Sequence, residues 1–329
     1  MVSTRRTTGR LHPAVADVRR AVRDGLADLG PGRAVLVACS GGADSMALAA
    51  ATSFEGARSG WVVRAVVVDH ALQTGSRELT SRVVTRLGEI GIERVDEARV
   101  TVEGAGGPEA AARRARYAAL SAAADMDDST IVLGHTMDDQ AETVLLGLGR
   151  GSGLRSLAGM AAVSGRHRRP LLGLRREVTR DACEAQGIEV YEDPHNVDPR
   201  FSRVRVRQEL LPALEDVLGP GVVEALARTA TAARDDADVL DVLAAELLAA
   251  ARESGGLRVD VLAAGAPALR RRALRQASLD AGAPAGDLFA VHVGAVDRLL
   301  TNWHGQAPID LPGGVSVVRR NSALWFRSG

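Results

Sequence analysis

Hydrophobic and polar positions alternate along the first half of the chain in a way that predicts strands separated by helices. Apolar residues recur at helical spacing over residues 11–29, and a continuous apolar run at 34–38 follows a Gly-Pro-Gly break. Short apolar runs bounded by turn residues are typical of buried strands. The predicted elements are a helix over 11–29, a strand over 34–38, a helix over 44–51, a strand over 61–69, a helix over 76–90, a strand over 94–102, a helix over 108–125, a strand over 130–133 and a helix over 136–148.

This alternation predicts an α/β fold with a doubly wound parallel sheet, because parallel strands need helical crossovers that cover both faces of the sheet. In such sheets ligands bind outside the carboxyl ends of the strands. Three loops, at residues 40–45, 69–73 and 134–139, begin where a predicted strand ends. We therefore expect these loops to meet at one edge of the sheet and to form the functional site.

The pattern changes beyond about Arg200. Residues 208–218 and 222–251 are rich in Ala, Leu, Asp and Arg at helical spacing, with no predicted strand between them. We therefore predict an N-terminal α/β domain over residues 1–210 and a smaller, mainly helical domain over residues 211–329. A further helix is predicted near 291–300, and short alternating runs at 307–311, 315–319 and 324–326 predict a small terminal β element.

The composition excludes several chemistries. The chain contains no lysine, so all 41 of its Lys or Arg positions are arginine. This excludes a Walker A phosphate loop, which needs a lysine, and every mechanism that forms a Schiff base on a lysine. The formal net charge is +0, so a polyanionic partner would have to be bound by local arginine clusters.

The cysteines and the hydropathy pattern favour the reducing cytoplasm. Cys39 and Cys183 stand far apart in the sequence, which excludes a disulfide framework and a cysteine-based zinc site. The first ten residues carry arginines without an apolar core, and no apolar stretch is long enough for a membrane span. We therefore predict a cytoplasmic protein without a membrane partner.

The segment Ser40–Ser45, with the sequence Ser-Gly-Gly-Ala-Asp-Ser, lies where a predicted strand turns into a helix. Two glycines let backbone amides converge on an anion, and the start of a helix adds partial positive charge. Such a turn holds a phosphate or diphosphate without a lysine, and Asp44 is placed to hold Mg²⁺ against it. The alternative is an ordinary turn in which Ser40 or Asp44 caps the helix.

A second cluster directly follows the fourth predicted strand. His135, Asp139 and Glu142 fall at positions i, i+4 and i+7 and so share one helix face, with Asp138 beside them. Three carboxylates within five residues are suited to bind a Mg²⁺ ion, an ammonium group, or both. The alternative is that Asp139 closes a capping box with Thr136 while the other acids are solvated helix surface.

Arginines form the third group of candidates. Arg113 and Arg116 lie three apart on a predicted helix and can reach an anionic site with bidentate geometry. Two basic stretches, at residues 166–176 and 200–207, suit the phosphate backbone of a nucleic acid. The alternative for all of them is a solvated helix face with interspersed acids.

Taken together, these motifs resemble one family, the tRNA(Ile)-lysidine synthases, which are N-type ATP pyrophosphatases. The resemblance runs from about Arg33 to Pro212 and fades after it. The pyrophosphate loop is specific only to the superfamily, whereas the acidic helix and the Asp-Pro-x-Asn-x-Asp segment single out the family. The motifs that carry the resemblance are residues 40–45, 68–72, 112–117, 134–143, 148–153, 157–160, 169–172 and 193–198, the last running into 207 and 210–212.

The resemblance implies an ATP-dependent carbon–nitrogen ligase. ATP would adenylate the C2 oxygen of wobble cytidine 34 in the isoleucine tRNA with anticodon CAU, and pyrophosphate would leave. The side-chain amine of free L-lysine would then displace AMP. The implied cofactors are ATP and Mg²⁺, and the implied partners are that tRNA and free lysine, with a homodimer as a possible assembly.

The resemblance also implies roles for individual residues. Asp44, Asp139, Glu142 and Arg116 are expected to be catalytic, with Asp139 and Glu142 serving the lysine. Asp44, together with Asp138 or Asp139, is expected to hold Mg²⁺. The residues expected to bind the nucleotide are Ser40, Gly41, Gly42, Ala43, Asp44, Ser45, His70, Arg113 and His135.

The sequence departs from the family pattern where Ala71, Thr136 and Val204 replace a frequent glycine, histidine and asparagine. The alternatives to this function are another ATP pyrophosphatase that acts on tRNA, such as a thiolase, an amide-forming synthetase, and a non-catalytic RNA-binding protein. A cysteine-dependent thiolase needs paired cysteines near the site, and a glutamine-dependent synthetase needs a glutaminase domain for which the chain has no room. The intact loop and acidic cluster argue against a non-catalytic protein.

Overall fold

The structure, a computed structural model, describes residues 11–69, 76–101, 108–149, 154–191 and 198–328. The chain divides into two compact units, residues 1–146 with 160–227 and residues 147–159 with 228–329. The predicted domain boundary at residue 210 stays a prediction. No helix among the described residues combines the length and the apolar character that crossing a bilayer requires.

The first unit is built on a six-stranded sheet, which confirms the predicted α/β class. The strands are β1 Ala34–Cys39, β2 Val62–Asp69, β3 Val95–Arg99, β4 Thr130–Leu133, β5 Val163–Ser164 and β6 His167–Arg168. They lie in the order β3-β2-β1-β4-β6-β5, and all neighbouring pairs are parallel except β5 with β6. The terminal hairpin of β5 and β6 was not predicted, because each strand contains only two residues.

Helices cover both faces of this sheet. Alternate residues of a strand point to opposite faces, so Val35 and Val37 join a core with α1, α2, α3 and α7, whereas Leu36 and Ala38 pack with α4. The helices of the first unit are α1 Pro13–Gly25, α2 Ala43–Ser59, α3 Ser76–Glu89, α4 Pro108–Asp125, α5 Met137–Gly149, α7 Arg176–Ala185, α8 Ser202–Arg205, α9 Leu211–Leu218 and the start of α10 Val222–Ala251, and α6 Leu154–Leu157 belongs to the second unit.

Helix α2 is longer than the predicted range of 44–51 and continues through a mostly polar run over residues 52–59. Gly60, with a left-handed φ of 73°, ends the helix. Gly56 lies inside the added turns, and a Cβ there would lie 2.4 Å from Cγ2 of Val63. The polar run is therefore helical because this face of α2 packs closely on β2. Helix α1 is shorter than predicted and ends at Gly25.

The second unit contains the helix and the small β element that the sequence predicts near the end of the chain, together with strands and helices over residues 252–280 that were not predicted individually. Its five antiparallel strands lie in the order β7-β8-β11-β10-β9. Helices α11, α12 and α13 share one apolar core with this sheet. The remaining elements are β7 Arg252–Glu253, β8 Gly256–Arg258, α11 Val259–Ala264, α12 Pro267–Asp280, α13 Ala290–Thr301, β9 Ile309–Leu311, β10 Val315–Arg320 and β11 Ala323–Ser328.

A buried cation lies within the first sheet, near the start of β2. The Arg64 side chain is 1% exposed. Its Nε and Nη2 donate to the two carboxylate oxygens of Asp127 at 2.8 and 2.7 Å. A third acid, Asp96, pairs with Nη1. The Arg64 cluster therefore ties β2 to β3 and to the turn before β4.

We predict that Arg64→Leu lowers the free energy of unfolding by about 3 kcal/mol, because the change leaves two carboxylates without their buried partner. Chemical denaturation measures this loss. The matched control is Arg33→Gln, which breaks an exposed ion pair with Asp128 and should cost under about 1 kcal/mol. Equal losses in the two variants would contradict the structural role of Arg64.

Candidate active site

The loop Ser40–Ser45 joins β1 to α2 and is shaped by its own hydrogen bonds. The Ser45 hydroxyl donates to the carbonyl of Gly42 at 2.9 Å and accepts from the Ser40 N–H at 3.1 Å. Gly41 has a φ of 86°, and a Cβ there would lie 2.6 Å from Cγ2 of Val83. The serine hydroxyls therefore hold the turn in shape and leave the first N–H groups of α2 as its anion-binding groups.

The capping alternative for this loop is wrong. Gly42 occupies the position before the helix, and no side chain caps α2. The Asp44 carboxylate instead accepts a hydrogen bond from the Thr179 hydroxyl and one from Arg176 Nε at 3.4 Å. Burial raises the pKa of Asp44 above its ordinary value, although the Thr179 hydrogen bond opposes this shift. A cation bound beside this carboxylate would favour its ionised form.

Asp139 combines the two alternatives that the sequence left open. Its Oδ2 accepts hydrogen bonds from the N–H and the hydroxyl of Thr136 at 2.8 and 3.0 Å, so it does cap α5. Its Oδ1 accepts from Arg176 Nη2 at 2.8 Å. Burial acts to raise the pKa of Asp139, but the Arg176 charge and the Thr136 N–H outweigh burial and hold this pKa below its ordinary value. One oxygen thus shapes the helix while the other faces a cation.

The other two acids of α5 are not solvated surface. Glu142 is 0% exposed, and its two oxygens accept from Arg207 Nε at 2.7 Å and from Arg207 Nη2 at 3.2 Å. Arg203 Nε lies 3.6 Å from Glu142 Oε2. Asp138 accepts from the backbone N–H of Arg176 at 2.7 Å. Each acid is therefore a buried or half-buried acceptor with an arginine partner.

Sequence reasoning missed the role of these arginines, because it placed them in stretches suited to a nucleic-acid backbone. Arg176 begins α7. Arg203 lies before a π-turn over residues 206–210 and Arg207 lies within it, and the Leu211 N–H donates to the Val206 carbonyl. Pro212 lacks the N–H that a regular helix would use at this point. The three acids of α5 are buried or half-buried and need counter-ions, so three closely spaced acids on one predicted helix were the available signal.

His135 and Arg116 both line the site, although His135 lies before α5 rather than on it. Burial lowers the pKa of His135 to about 3, and its buried Nδ1 has no hydrogen-bond partner among the described residues. In the part of the chain that the structure describes, no hydrogen bond or ion pair engages the Arg116 guanidinium. Arg113 is exposed and lies 4.9 Å from the centre of the Tyr117 ring. His70 lies outside the described residues.

Two cavities meet at these side chains. The main cavity, of about 820 Å³, takes in most of the loop, with Ser40 and 42–45, together with His135 and Asp139. An adjacent cavity, of about 600 Å³, takes in Asp138 and Glu142. Both cavities are lined by Arg176 and Arg207. Gly41 lies on the far side of the turn, against a third cavity of about 240 Å³.

Gly134 explains why the loop and the acidic helix meet. It follows β4, and a Cβ at this position would lie 2.9 Å from the Asp44 carbonyl oxygen and 3.1 Å from the Ser45 nitrogen. The absence of a side chain lets the end of β4 approach the first turn of α2. The phosphate loop and α5 therefore open on the same edge of the sheet, as the sequence predicts.

A Mg²⁺ ion at this site would need oxygen donors from the protein and from a bound ligand. Among the described residues, no group of three or more His, Cys, Asp or Glu side chains is arranged to hold a metal ion. Mg²⁺ is usually bound through one or two carboxylates, with phosphate oxygens and waters as the remaining ligands. Asp44, in the phosphate loop, fits that requirement, because a nucleotide bound there would bring its own oxygens.

Comparison with known proteins identifies the family. The sequence matches the family model of the PP-loop domain over residues 15–214 and that of the TilS substrate binding domain over residues 257–325. A tRNA(Ile)-lysidine synthase of Streptomyces coelicolor is 54% identical over 349 aligned residues, which cover 97% of this chain and 99% of that protein. The chain belongs to the tRNA(Ile)-lysidine synthase family. Membership makes it an ATP-dependent ligase whose first domain is of the ATP-binding PP-loop type.

Two further comparisons are consistent with this lysidine synthase assignment. A tRNA(Ile)-lysidine synthase of Thermobifida fusca is 54% identical over 309 residues, covering 92% of this chain and 94% of that protein. Among solved structures, a U34-tRNA thiolase of Methanococcus maripaludis superposes with a TM-score of 0.56 at 18% identity, covering 66% of this chain and 78% of that chain. The thiolase likeness shows the fold alone.

We predict that Gly134→Ala raises the KM for ATP about tenfold, equivalent to about 1.4 kcal/mol, because the new methyl group displaces the first turn of α2. Steady-state kinetics with varied ATP measure the effect. Gly173→Ala is the matched control, since a Cβ there would have no heavy atom within 4 Å. An unchanged KM for ATP in Gly134→Ala would show that this close approach does not shape the phosphate loop.

Proposed function

We propose that this enzyme forms lysidine at wobble cytidine 34 of the isoleucine tRNA with anticodon CAU, in two steps. ATP first adenylates the C2 oxygen of the cytidine, and pyrophosphate leaves. The side-chain amine of free lysine then attacks C2, and AMP leaves. The observation that carries the proposal is the pair of adjoining cavities, one with a phosphate loop and one with a buried carboxylate, which share two arginines.

The first step depends on holding the departing diphosphate. The N–H groups at the start of α2 donate to its oxygens, and the glycines of the loop allow this close approach. Arg116 lines the main cavity and has no hydrogen-bond or ion-pair partner among the described residues, and it would bind the phosphate that becomes AMP. Holding these groups in line lowers the barrier chiefly through positioning and electrostatic stabilisation.

Mg²⁺ would be held by Asp44, with Asp138 as its second predicted ligand. Both described hydrogen bonds to Asp138 end on Oδ2, so Oδ1 is the oxygen proposed for the metal. When bound there, the ion would neutralise negative charge on the phosphates. The neutral His135 ring lines the main cavity and would contact the nucleotide without adding charge.

The second step needs a carboxylate that holds an amine and takes its proton. A lysine ammonium has a pKa of about 10.4, so under about 0.1% of it is neutral at pH 7. Asp139 and Glu142 are the proposed partners of the amine. The adjacent cavity also suits a free amino acid, because Glu215 and Arg175 supply both signs of charge beside the apolar wall of Leu211 and Val223.

The proposed tRNA partner is supported by the second unit, which carries the match to the TilS substrate binding domain. The described residues that the proposed chemistry uses lie in the first unit. The homodimer stays a prediction from sequence. Thiolation is less well supported, since Cys39 and Cys183 are buried free thiols, and burial raises the pKa of Cys183 to about 12.

The decisive experiment supplies the CAU-anticodon isoleucine tRNA, ATP, Mg²⁺ and isotope-labelled lysine. We expect label in the tRNA, with one AMP and one pyrophosphate formed for each lysine incorporated. Omitting lysine should leave pyrophosphate release without a labelled product. Incorporation of sulfur instead of lysine, or no release of pyrophosphate, would exclude the proposed reaction.

We predict that Asp139→Asn lowers lysine incorporation by at least about 100-fold, the range expected for loss of a general acid–base group. The amide keeps a carbonyl oxygen for Thr136 but cannot accept a proton from the amine. Single-turnover incorporation of labelled lysine measures the effect. The matched control is Asp181→Asn, an exposed residue of α7, and near-normal turnover by Asp139→Asn would contradict the assignment.

A further inference from the structure

One guanidinium contacts carboxylates that belong to different parts of the proposed reaction. Arg176 Nε donates to Asp44 Oδ2 at 3.4 Å, on the side of the phosphate loop. Its Nη2 donates to Asp139 Oδ1 at 2.8 Å, and both terminal nitrogens lie 3.4 Å from Glu142 Oε1. Arg176 therefore bridges the nucleotide carboxylate and the two amine carboxylates directly.

The backbone of Arg176 is held as firmly as its side chain. Its N–H donates to Asp138 on α5 at 2.7 Å, and its carbonyl lies 2.7 Å from the Thr179 hydroxyl, which also contacts Asp44. The first turn of α7 is thus fixed against both α2 and α5. The side chain is only 15% exposed, so water has little access to the guanidinium.

The neighbouring arginines duplicate only part of these contacts. Arg175 pairs with Asp138 and Glu224, and Arg203 pairs with Glu142. Arg207 pairs with Glu142 and lies 3.7 Å from Asp139. Within the described ranges, Arg176 is the cation that forms ion pairs with both Asp44 and Asp139.

We infer that Arg176 is a positioning residue that couples the two steps of the reaction by fixing Asp44 relative to Asp139 and Glu142. This inference rests on the proposed function. Without Arg176, Asp44 loses its arginine ion pair, and the carboxylates of the two cavities repel one another more strongly. The planar fork of an arginine reaches several carboxylates at once, whereas a lysine at this position carries a single point of charge.

The inference is tested with Arg176→Gln and Arg176→Lys. Pyrophosphate release in the presence of tRNA but without lysine reports the first step, and single-turnover transfer of labelled lysine reports the second. We expect Arg176→Gln to slow both steps at least about tenfold, with the KM for tRNA unchanged. Arg176→Lys should recover part of both rates, because it keeps the charge but loses the fork geometry.

The matched control is Arg20→Gln, which breaks an exposed ion pair with Asp17 and should leave both rates unchanged. Thermal unfolding of each variant separates loss of fold from loss of positioning. If Arg176→Gln does not fold, Arg176→Lys must still slow both steps to support the inference. Slowing of one step alone, or of neither, overturns it. Absence of lysidine with the wild-type enzyme would instead reject the proposed function, whatever the variants do.

Discussion

The arrangement of the first unit depends on one electrostatic constraint, namely that several carboxylates are buried together and must be paired. An isolated ionised carboxylate is costly to remove from water, and like charges in a dry site repel one another. Glu142, with no exposed surface, is stable here because arginines from later segments of the chain lie against it. The acids of α5 thus hold α7 and the helix after Phe201 in place through their arginines. The same arginines line the two cavities.

The sequence predicted the parts of this site that depend on local chemistry. The Ser40–Ser45 loop was predicted from two glycines at a strand-to-helix turn, and the carboxyl ends of parallel strands placed it beside the acidic cluster. Strand and helix order followed from apolar periodicity. Strands β5 and β6 were missed, and α2 was predicted too short. These segments carry weak local signals, because they adopt their structure through packing on distant residues.

The pairing of the acids could not be read from local pattern. Arg176 lies 37 positions after Asp139 in the sequence, and the pair has no periodic or motif signal. For Asp139, the capping interpretation and the cation-binding interpretation both hold. Its Oδ2 accepts from Thr136, whereas its Oδ1 accepts from Arg176. The phosphate loop and the acidic helix were recognisable because the chemistry needs particular residue types there, whereas ion pairs are satisfied by any arrangement that brings opposite charges together.

The wide turn before Pro212 has a consequence for how the enzyme could vary. A π-turn adds one residue to a helical repeat, so the side chains that precede it are rotated relative to those that follow, while the helix axis continues. Arg203 lies before this turn and Arg207 lies within it, so the turn sets the direction of both guanidinium groups relative to the apolar residues that start α9. A change of one residue in this turn would therefore redirect both guanidinium groups that pair with Glu142.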